Sequence, residues 1–164
     1  KPEAILLTHG HFDHIMAAKE LKGTWNVPIY ACEKEIDVLT DGRKSLVAGY
    51  FREPYTITPD VTVKEGDELS IAGFTWKVFE TPGHTIGSCC YYIEKESVLF
   101  SGDTLFAGSY GRTDFPTGSG RQIAESVRRL LSTLPDDTMV YPGHMDTTTI
   151  GFEKKYNPLS GAMG

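Results

Sequence analysis

Short apolar runs alternate with polar stretches along the chain, and several of the runs end at a histidine or an aspartate. Residues 2–8 predict a buried strand that ends at a histidine cluster, and residues 27–31 predict the next strand. Between them we expect a helix that Asp13 caps and Gly23 ends. Another helix is expected at 33–39. This strand–helix–strand–helix order predicts that the first two strands pair in parallel.

The pattern changes after residue 60, where short strand-like runs are separated by turns that carry glycine or charge. The predicted strands cover residues 61–63, 69–71, 74–80, 88–93, 98–100 and 138–141. Ser119 and Gln122 have the spacing of a capping box before an amphipathic helix. A last helix is expected at 148–156. Residues 40–59 show no period and predict a long loop that borders a binding site.

The composition is typical of one globular domain that spans residues 1–164, with 40% hydrophobic and 23% charged residues. A net charge of -6 without a basic run disfavours a nucleic-acid partner. No apolar stretch is long enough to cross a membrane. The three cysteines, of which Cys89 and Cys90 are adjacent, form no disulfide framework and favour a reducing compartment. We therefore expect a cytoplasmic protein with neither a nucleic-acid nor a membrane partner.

All the histidines of the chain stand in contexts typical of metal ligands. They are His9, His11, His14, His84 and His144, and the last two each follow a Pro-Gly pair. His9 and His11 can point the same way, because side chains alternate along an extended chain. Asp13 and His14 follow where the chain turns, so their side chains can face a second metal position. Imidazole suits zinc and other late first-row metals, and carboxylate suits harder ions.

Asp103 is the remaining carboxylate at the end of a predicted strand, and it could bridge two ions. Gly83 and Gly143 would let the backbone turn sharply beside the metals. The residues therefore predict a centre for two metal ions. Asp13 and Asp103 are its expected catalytic carboxylates.

The sequence His9-Gly10-His11-Phe12-Asp13-His14, followed in order by His84, Asp103 and His144, resembles the metallo-β-lactamase fold superfamily over nearly the whole chain. This resemblance implies an α/β fold, the αββα sandwich. It implies that one metal is held by His9, His11 and His84, the other by Asp13, His14 and His144, and that Asp103 bridges them. The two divalent ions are expected to be zinc, with iron or manganese as alternatives.

Two phrases resemble the glyoxalase II branch of thioester hydrolases, namely Thr81-Pro82-Gly83-His84-Thr85 and Gly102-Asp103-Thr104-Leu105-Phe106. Residues 153–158 fit the short bacterial members of that branch. Arg112 matches a basic position that is used for glutathione, so it is expected to bind an anionic part of the substrate. Asp114 and Asp146 depart from the pattern, because they stand where glyoxalase II has tyrosines that contact glutathione. The helical C-terminal domain of the full-length enzyme is also missing.

The first functional expectation is a dinuclear hydrolase in which a metal-bridging hydroxide attacks a thioester such as an S-acylglutathione. A second is a mononuclear iron persulfide dioxygenase that uses His9, His84 and Asp103, since 111–115 resembles both families. A non-catalytic metal-binding fragment is a third. A β-lactamase is disfavoured, because Asp103 stands where the zinc β-lactamases usually have cysteine.

The resemblance also implies strands before the histidine motif that this sequence does not contain. Without them we expect bare apolar surface on Ile5, Leu7 and Ile29, and we expect another chain or segment to supply the strands. The terminal residues 161–164 resemble a cloning remnant.

Overall fold

Two β-sheets lie face to face in the computed structural model of the chain, which describes residues 1–161. Of the possible cloning remnant, Ala162 to Gly164 lie outside the described residues. The first sheet has the order β1-β2-β3 and contains β1 (Ile5–Leu6), β2 (Ile29–Cys32) and β3 (Val61–Val63). All of its strands are parallel, so the predicted parallel pairing of the first two strands is confirmed.

Short helices cover the outer face of this first sheet. They are α1 (Phe12–Ile15), α2 (Ala18–Trp25) and α3 (Ile36–Thr40), the last preceded by a 3-10 turn at Glu33–Glu35. Ile15, Ala18 and Leu39 bury their side chains against Leu7 and Ile29 of the strands. A further short helix, α4 (Val47–Tyr50), lies within the stretch that was expected to be a loop.

The second sheet has six strands in the order β11-β10-β7-β6-β5-β4. They are β4 (Glu68–Ile71), β5 (Phe74–Glu80), β6 (Cys89–Ile93), β7 (Val98–Gly102), β10 (Met139–Pro142) and β11 (Thr148–Thr149). A separate hairpin joins β8 (Leu105–Phe106) to β9 (Ser109–Tyr110). Two helices, α5 (Gly120–Thr133) and α6 (Ile150–Tyr156), pack on this second sheet.

Three buried clusters show how the layers stack. One lies between the first helices and the first sheet, one between the sheets around Val78 and Tyr91, and one between the second sheet and α5. The order of layers is therefore helix, sheet, sheet, helix, which confirms the predicted αββα sandwich. In α5 the buried Ile123, Val127 and Leu130 lie on one face, and the Ser119 hydroxyl accepts a hydrogen bond from the Gln122 N–H as its cap.

Two local expectations were wrong. Asp13 lies inside the first turn of α1, and His11 is the N-cap without a side-chain capping bond. Gly23 lies within α2, which continues to Trp25 and ends at Asn26 in the left-handed conformation. The turn after this helix tolerates asparagine, because its short polar side chain is compatible with a positive φ. Cys89 and Cys90 lie side by side in β6, buried and unpaired, as expected of strand residues.

The expectation of bare apolar surface on Ile5, Leu7 and Ile29 was wrong about its position. Leu7 and Ile29 are buried under the first helices, and Ile5 is half-buried, so helices supply the cover there. The open apolar surface is instead an aromatic strip on the second sheet, formed by Trp76, Phe100 and Tyr141, whose rings lie 5.6–5.7 Å apart. Phe100 and Tyr141 are exposed. That another chain or segment adds further strands stays a prediction.

Contacts between the sheets fix the end of β1, where the histidine motif starts. The Tyr91 hydroxyl donates to the Leu7 carbonyl at 2.9 Å, and the Cys89 N–H donates to the Thr8 carbonyl at 2.9 Å. His9 follows directly and is therefore held at the edge where β5, β6 and β7 also end or begin. In the described part of the chain, no helix is long and apolar enough to cross a membrane.

Candidate metal centre

Three buried imidazoles form what we call the first trio: His9, His11 and His84. Each is at most 3% exposed. One ring nitrogen from each lies within 4.8 Å of the others, and His11 Nδ1 is 2.9 Å from His84 Nε2. His9 and His11 leave the end of β1, whereas His84 leaves the turn after β5. The sandwich thus brings together residues that are 73 positions apart in sequence.

The second nitrogen of His84 is held by the backbone. His84 Nδ1 lies 2.7 Å from the Arg112 carbonyl oxygen, so this nitrogen carries the proton and leaves Nε2 free to bind a metal. Gly111 makes this approach possible, because a Cβ at that position would lie only 1.8 Å from the Asp103 carbonyl oxygen. The backbone of Gly111 and Arg112 therefore orients the His84 ring.

A second trio lies beside the first and is more open. It consists of Asp13, His14 and His144, whose ligand atoms also lie within 4.8 Å of one another. His144 Nε2 is 3.1 Å from Asp13 Oδ2 and 3.2 Å from His14 Nε2. Asp13 is 38% exposed and His144 is 51% exposed. Solvent can therefore reach two of its three members.

Asp103 lies between the trios. Its Oδ2 is 3.4 Å from His84 Nε2 and 3.4 Å from His144 Nε2, and its Oδ1 is 3.3 Å from His14 Nε2. One carboxylate thus faces members of both trios. Gly143 lets the chain pass close by, because a Cβ there would lie 2.3 Å from Asp103 Oδ1.

The pKa values of the three first-trio imidazoles shift in the opposite direction from the pKa of His14. Burial, with the neighbouring imidazoles, lowers the pKa of His9 well below its usual value and that of His11 to about 4. Burial also lowers the pKa of His84. Burial alone would lower the pKa of His14, but the hydrogen bond and charge of Asp103 outweigh it and raise the pKa. The first trio is therefore neutral at physiological pH, which is the form that binds a metal.

The described residues fit metal ions at this centre. His9 Nε2 and His11 Nε2 are buried without a hydrogen-bond partner among residues 1–161. Buried polar atoms without partners are costly, and a metal ligand is one of the few roles that account for them. Nitrogen and carboxylate oxygen are the donors that zinc, iron and manganese accept. The residues expected as ligands are thus brought together.

The centre opens into a cleft of about 380 Å³ whose walls are mainly apolar. The non-ligand lining residues are Phe12, Leu46, Tyr50, Phe106, Tyr110, Arg112, Phe115 and Met145. Leu46 and Tyr50 belong to the 40–59 stretch, so this stretch borders the cleft. Tyr50 stacks on Phe12, with ring centroids 4.4 Å apart, and forms one wall.

Arg112 reaches the cleft but is already paired. Its Nε and Nη2 each donate to the Asp114 carboxylate at 2.6 Å, and the guanidinium lies over the Phe115 ring at 4.1 Å. The hydrogen bonds from Arg112 lower the pKa of Asp114 to about 2. An anionic substrate would therefore compete with Asp114 for this guanidinium.

Two contributors to the site were not identified from the sequence. The Arg112 carbonyl oxygen orients His84, and the only signal for it is the glycine that precedes the arginine. Glu35 is buried behind the first trio, where it accepts hydrogen bonds from the Gly10 and Gly87 N–H groups. In the sequence Glu33-Lys34-Glu35 is indistinguishable from an exposed helix start.

A two-sheet sandwich with histidines and aspartates at its strand ends defines a metal-binding α/β protein. A family profile described as the Metallo-beta-lactamase superfamily matches residues 1–144. The chain belongs to this superfamily, and with it to the metal-dependent hydrolases.

Relatives support the assignment along nearly the full chain. An uncharacterized protein of Aquifex aeolicus is 42% identical over 163 residues, which are 99% of this chain and 77% of that protein. The probable metallo-hydrolase YqgX of Bacillus subtilis is 40% identical over 96% of this chain and 75% of its own length. The hydroxyacylglutathione hydrolase GloC of Haemophilus influenzae is 38% identical over 96% of this chain and 75% of its own length.

Solved structures share the fold. BLEG-1, a B3 metallo-beta-lactamase, matches with a TM-score of 0.90 and 42% identity over 98% of this chain and 78% of its own. TTHA1623 in a di-iron-bound form matches with a TM-score of 0.85 and 35% identity over 96% of this chain and 77% of its own. ETHE1 from Myxococcus xanthus matches with a TM-score of 0.77 and 32% identity over 95% of this chain and 61% of its own.

Proposed function

We propose that this chain is a dinuclear metal-dependent hydrolase that cleaves thioesters such as S-acylglutathione. The observation that carries the proposal is the position of Asp103. Its two carboxylate oxygens face members of both trios at 3.3–3.4 Å, as a ligand shared by two ions would. A site for a single ion would not account for a second, solvent-open group of donors beside the first.

In this proposal His9, His11 and His84 hold one ion, and Asp13, His14 and His144 hold the other. Bound there, two divalent ions would supply an activated water and polarise a carbonyl oxygen. Burial would raise the pKa of Asp103, but the hydrogen bond and charge of His14 outweigh it and lower the pKa, so the carboxylate stays ionised between the trios. Asp13 presents a second carboxylate at the open side of the cleft.

The walls of the cleft suit a thioester. Phe12, Leu46, Phe115 and Met145 offer an apolar surface for an acyl group. A thiolate leaves without full protonation, so no strong general acid is needed among the lining residues. Arg112 is the cation of the lining, and its remaining donors can meet an anionic end of the substrate. GloC, a relative named for hydrolysis of a glutathione thioester, agrees with this substrate class.

A second candidate is the iron persulfide dioxygenase. The observation that favours it is the cluster of His9 and His84 around Asp103 Oδ2, at 4.0 and 3.4 Å, which is a two-histidine, one-carboxylate arrangement. A β-lactam is a third substrate to try, because BLEG-1 is a metallo-beta-lactamase.

The test loads metal-stripped protein separately with zinc and with iron(II), then offers S-lactoylglutathione, glutathione persulfide and a chromogenic β-lactam. We expect the zinc-loaded protein to release thiol from the thioester without oxygen. Asp103→Asn protein given the same metals is the control for catalysis by free ions. Turnover of the persulfide alone, with iron alone and with oxygen consumed, would replace the hydrolase with the dioxygenase.

A further inference from the structure

A carboxylate without a role in the chemistry above lies behind the first trio. Glu35 is 1% exposed and ends the 3-10 turn after β2. Its Oε1 accepts the Gly10 N–H at 2.7 Å, and its Oε2 accepts the Gly87 N–H at 2.8 Å. Gly10 lies between His9 and His11, and Gly87 lies in the turn that follows His84. One side chain thus joins the two loops that supply the first trio.

The packing around Glu35 leaves these loops little room to move. A Cβ on Gly87 would lie 2.2 Å from the Glu35 backbone nitrogen, so the two backbones are in direct contact. A Cβ on Gly10 would lie 3.0 Å from Val38 Cγ1 and 3.1 Å from Leu39 Cδ2. Glycine is therefore needed at position 87, and at position 10 a larger residue would push against the side chains of α3. The carboxylate bridges two backbones that already lie against the same turn.

The charge of Glu35 is costly for a group whose only role is packing. No lysine, arginine or histidine forms a salt bridge with it in the part of the chain that the structure describes. Burial raises its pKa to about 7, against the hydrogen bonds from Thr85, Gly10 and Gly87. A buried carboxylate without a cation costs stability unless hydrogen bonds compensate for the lost hydration. The hydrogen bonds of Glu35 all go to the loops of the metal centre.

We infer that Glu35 is a positioning residue for the first metal site, whose carboxylate sets the separation between the His9–His11 loop and the His84 loop. The inference rests on the proposed function only in that it takes the first trio to bind a metal. Partners behind a metal ligand that fix its orientation typically contribute about 10–100-fold to metal affinity. We expect an effect of that size at the first site and none at the second.

The test uses Glu35→Gln, which keeps the size of the side chain. Its amide has a single acceptor oxygen, so one of the two N–H groups would face an NH2 group instead. Zinc affinity of the metal-stripped full chain is measured by competition with a chromophoric chelator. Each substitution is combined with a second one that disables one metal site. With His144→Ala, zinc affinity is measured at the first site, and with His84→Ala it is measured at the second.

Glu153→Gln is the matched control. Glu153 is also fully buried and accepts the Gly108 N–H, the Thr148 hydroxyl and the Asn157 amide, but it contacts neither loop of the first trio. Both substitutions should lower the melting temperature. Only Glu35→Gln should lower zinc affinity in the His144→Ala background, by about 10–100-fold.

Zinc affinity that is the same in Glu35→Gln and Glu153→Gln would overturn the inference, as would an equal loss at both sites. If Glu35→Gln does not fold, Glu35→Asp gives the same reading, because its shorter side chain can reach only one loop. A wild-type chain that binds a single zinc ion would end the dinuclear proposal, while the comparison at that one site would still decide the role of Glu35.

Discussion

The two trios of the metal centre use similar donors but are built in opposite ways. The first trio is buried, and its surroundings hold it on two sides: the Arg112 carbonyl oxygen fixes His84, and Glu35 ties its loops together. In the second trio Asp13 and His144 are open to solvent. His144 precedes Met145, an exposed residue with a positive φ, in an irregular segment between β10 and β11.

This difference shows that two metal sites that share a ligand can hold their ions with different strength. A preorganised buried site loses little entropy when a metal binds, and water cannot replace a missing ligand there. An open site must order its ligands on binding, but solvent or a small molecule can fill a gap. We therefore expect the first ion to be retained and the second to exchange.

The largest effect is expected from removing one ligand of each trio. His84→Ala should lose about one zinc ion per chain, with affinity at the first site lowered by more than about 100-fold. His144→Ala should weaken mainly the second site, and added imidazole should restore its zinc content, because the vacated position is open to solvent. Metal analysis after dialysis, with and without imidazole, measures both. Equal rescue of the two variants, or unchanged metal in both, would remove the distinction between the trios.

A moderate effect is expected from pH on the metal-free protein. The pKa of His11 is about 4 in the folded chain and about 6.5 when unfolded. Between these values the unfolded chain binds the proton and the folded chain does not, so this residue makes stability rise with pH. Glu35, whose pKa is raised to about 7, acts in the opposite direction. His11→Asn should therefore flatten the rise by up to about 1.4 kcal/mol per pH unit.

Urea unfolding of both metal-free proteins at several pH values from 4 to 6.5 measures this slope. The control is the same pair of metal-free proteins at pH 8, where His11 is neutral in both the folded and the unfolded state. A wild-type slope no steeper than that of His11→Asn would contradict a buried, neutral first trio.

The smallest effect is expected at the rim of the cleft. Asp114 occupies two donors of Arg112, and both side chains are at least 60% exposed. Exposed ion pairs contribute at most about 1 kcal/mol, so Asp114→Asn should lower KM for an S-acylglutathione by up to about five-fold.

Arg112→Lys should raise KM more than it lowers kcat. An uncharged thioester is the control substrate, and identical shifts with it would exclude Arg112 from binding the anion.

The sequence predicted the parts of this protein that local pattern determines. The strand before the histidine motif, the cap at Ser119 and the parallel pairing of β1 with β2 follow from periodicity, capping chemistry and element order. The structure has all of these features, although β1 is confined to Ile5 and Leu6 of the predicted 2–8. The position of the centre followed from counting histidines, because none stands outside a ligand-like context. Family resemblance then supplied the pairing of ligands into two sets, which local pattern alone does not determine.

Other features were not predicted, because they depend on contacts between distant segments or on energy differences that local pattern does not reveal. Glu35 is buried only because Gly10 and Gly87, 25 and 52 residues away, pack on its turn. The pairing of Arg112 with Asp114 is local, but its effect on the cleft depends on where Phe115 lies. Gly23 was taken as a helix end, yet α2 continues because an exposed glycine costs only about 1 kcal/mol there.

The contacts that hold the end of β1 against the second sheet have a consequence for how the molecule folds. The bond from Tyr91 to the Leu7 carbonyl closes a loop of 84 residues, and the first trio forms only when that loop is closed. Closing so long a loop costs conformational entropy, so we expect the first trio to assemble late in folding. Bound metal should then slow unfolding and leave the rate of folding nearly unchanged.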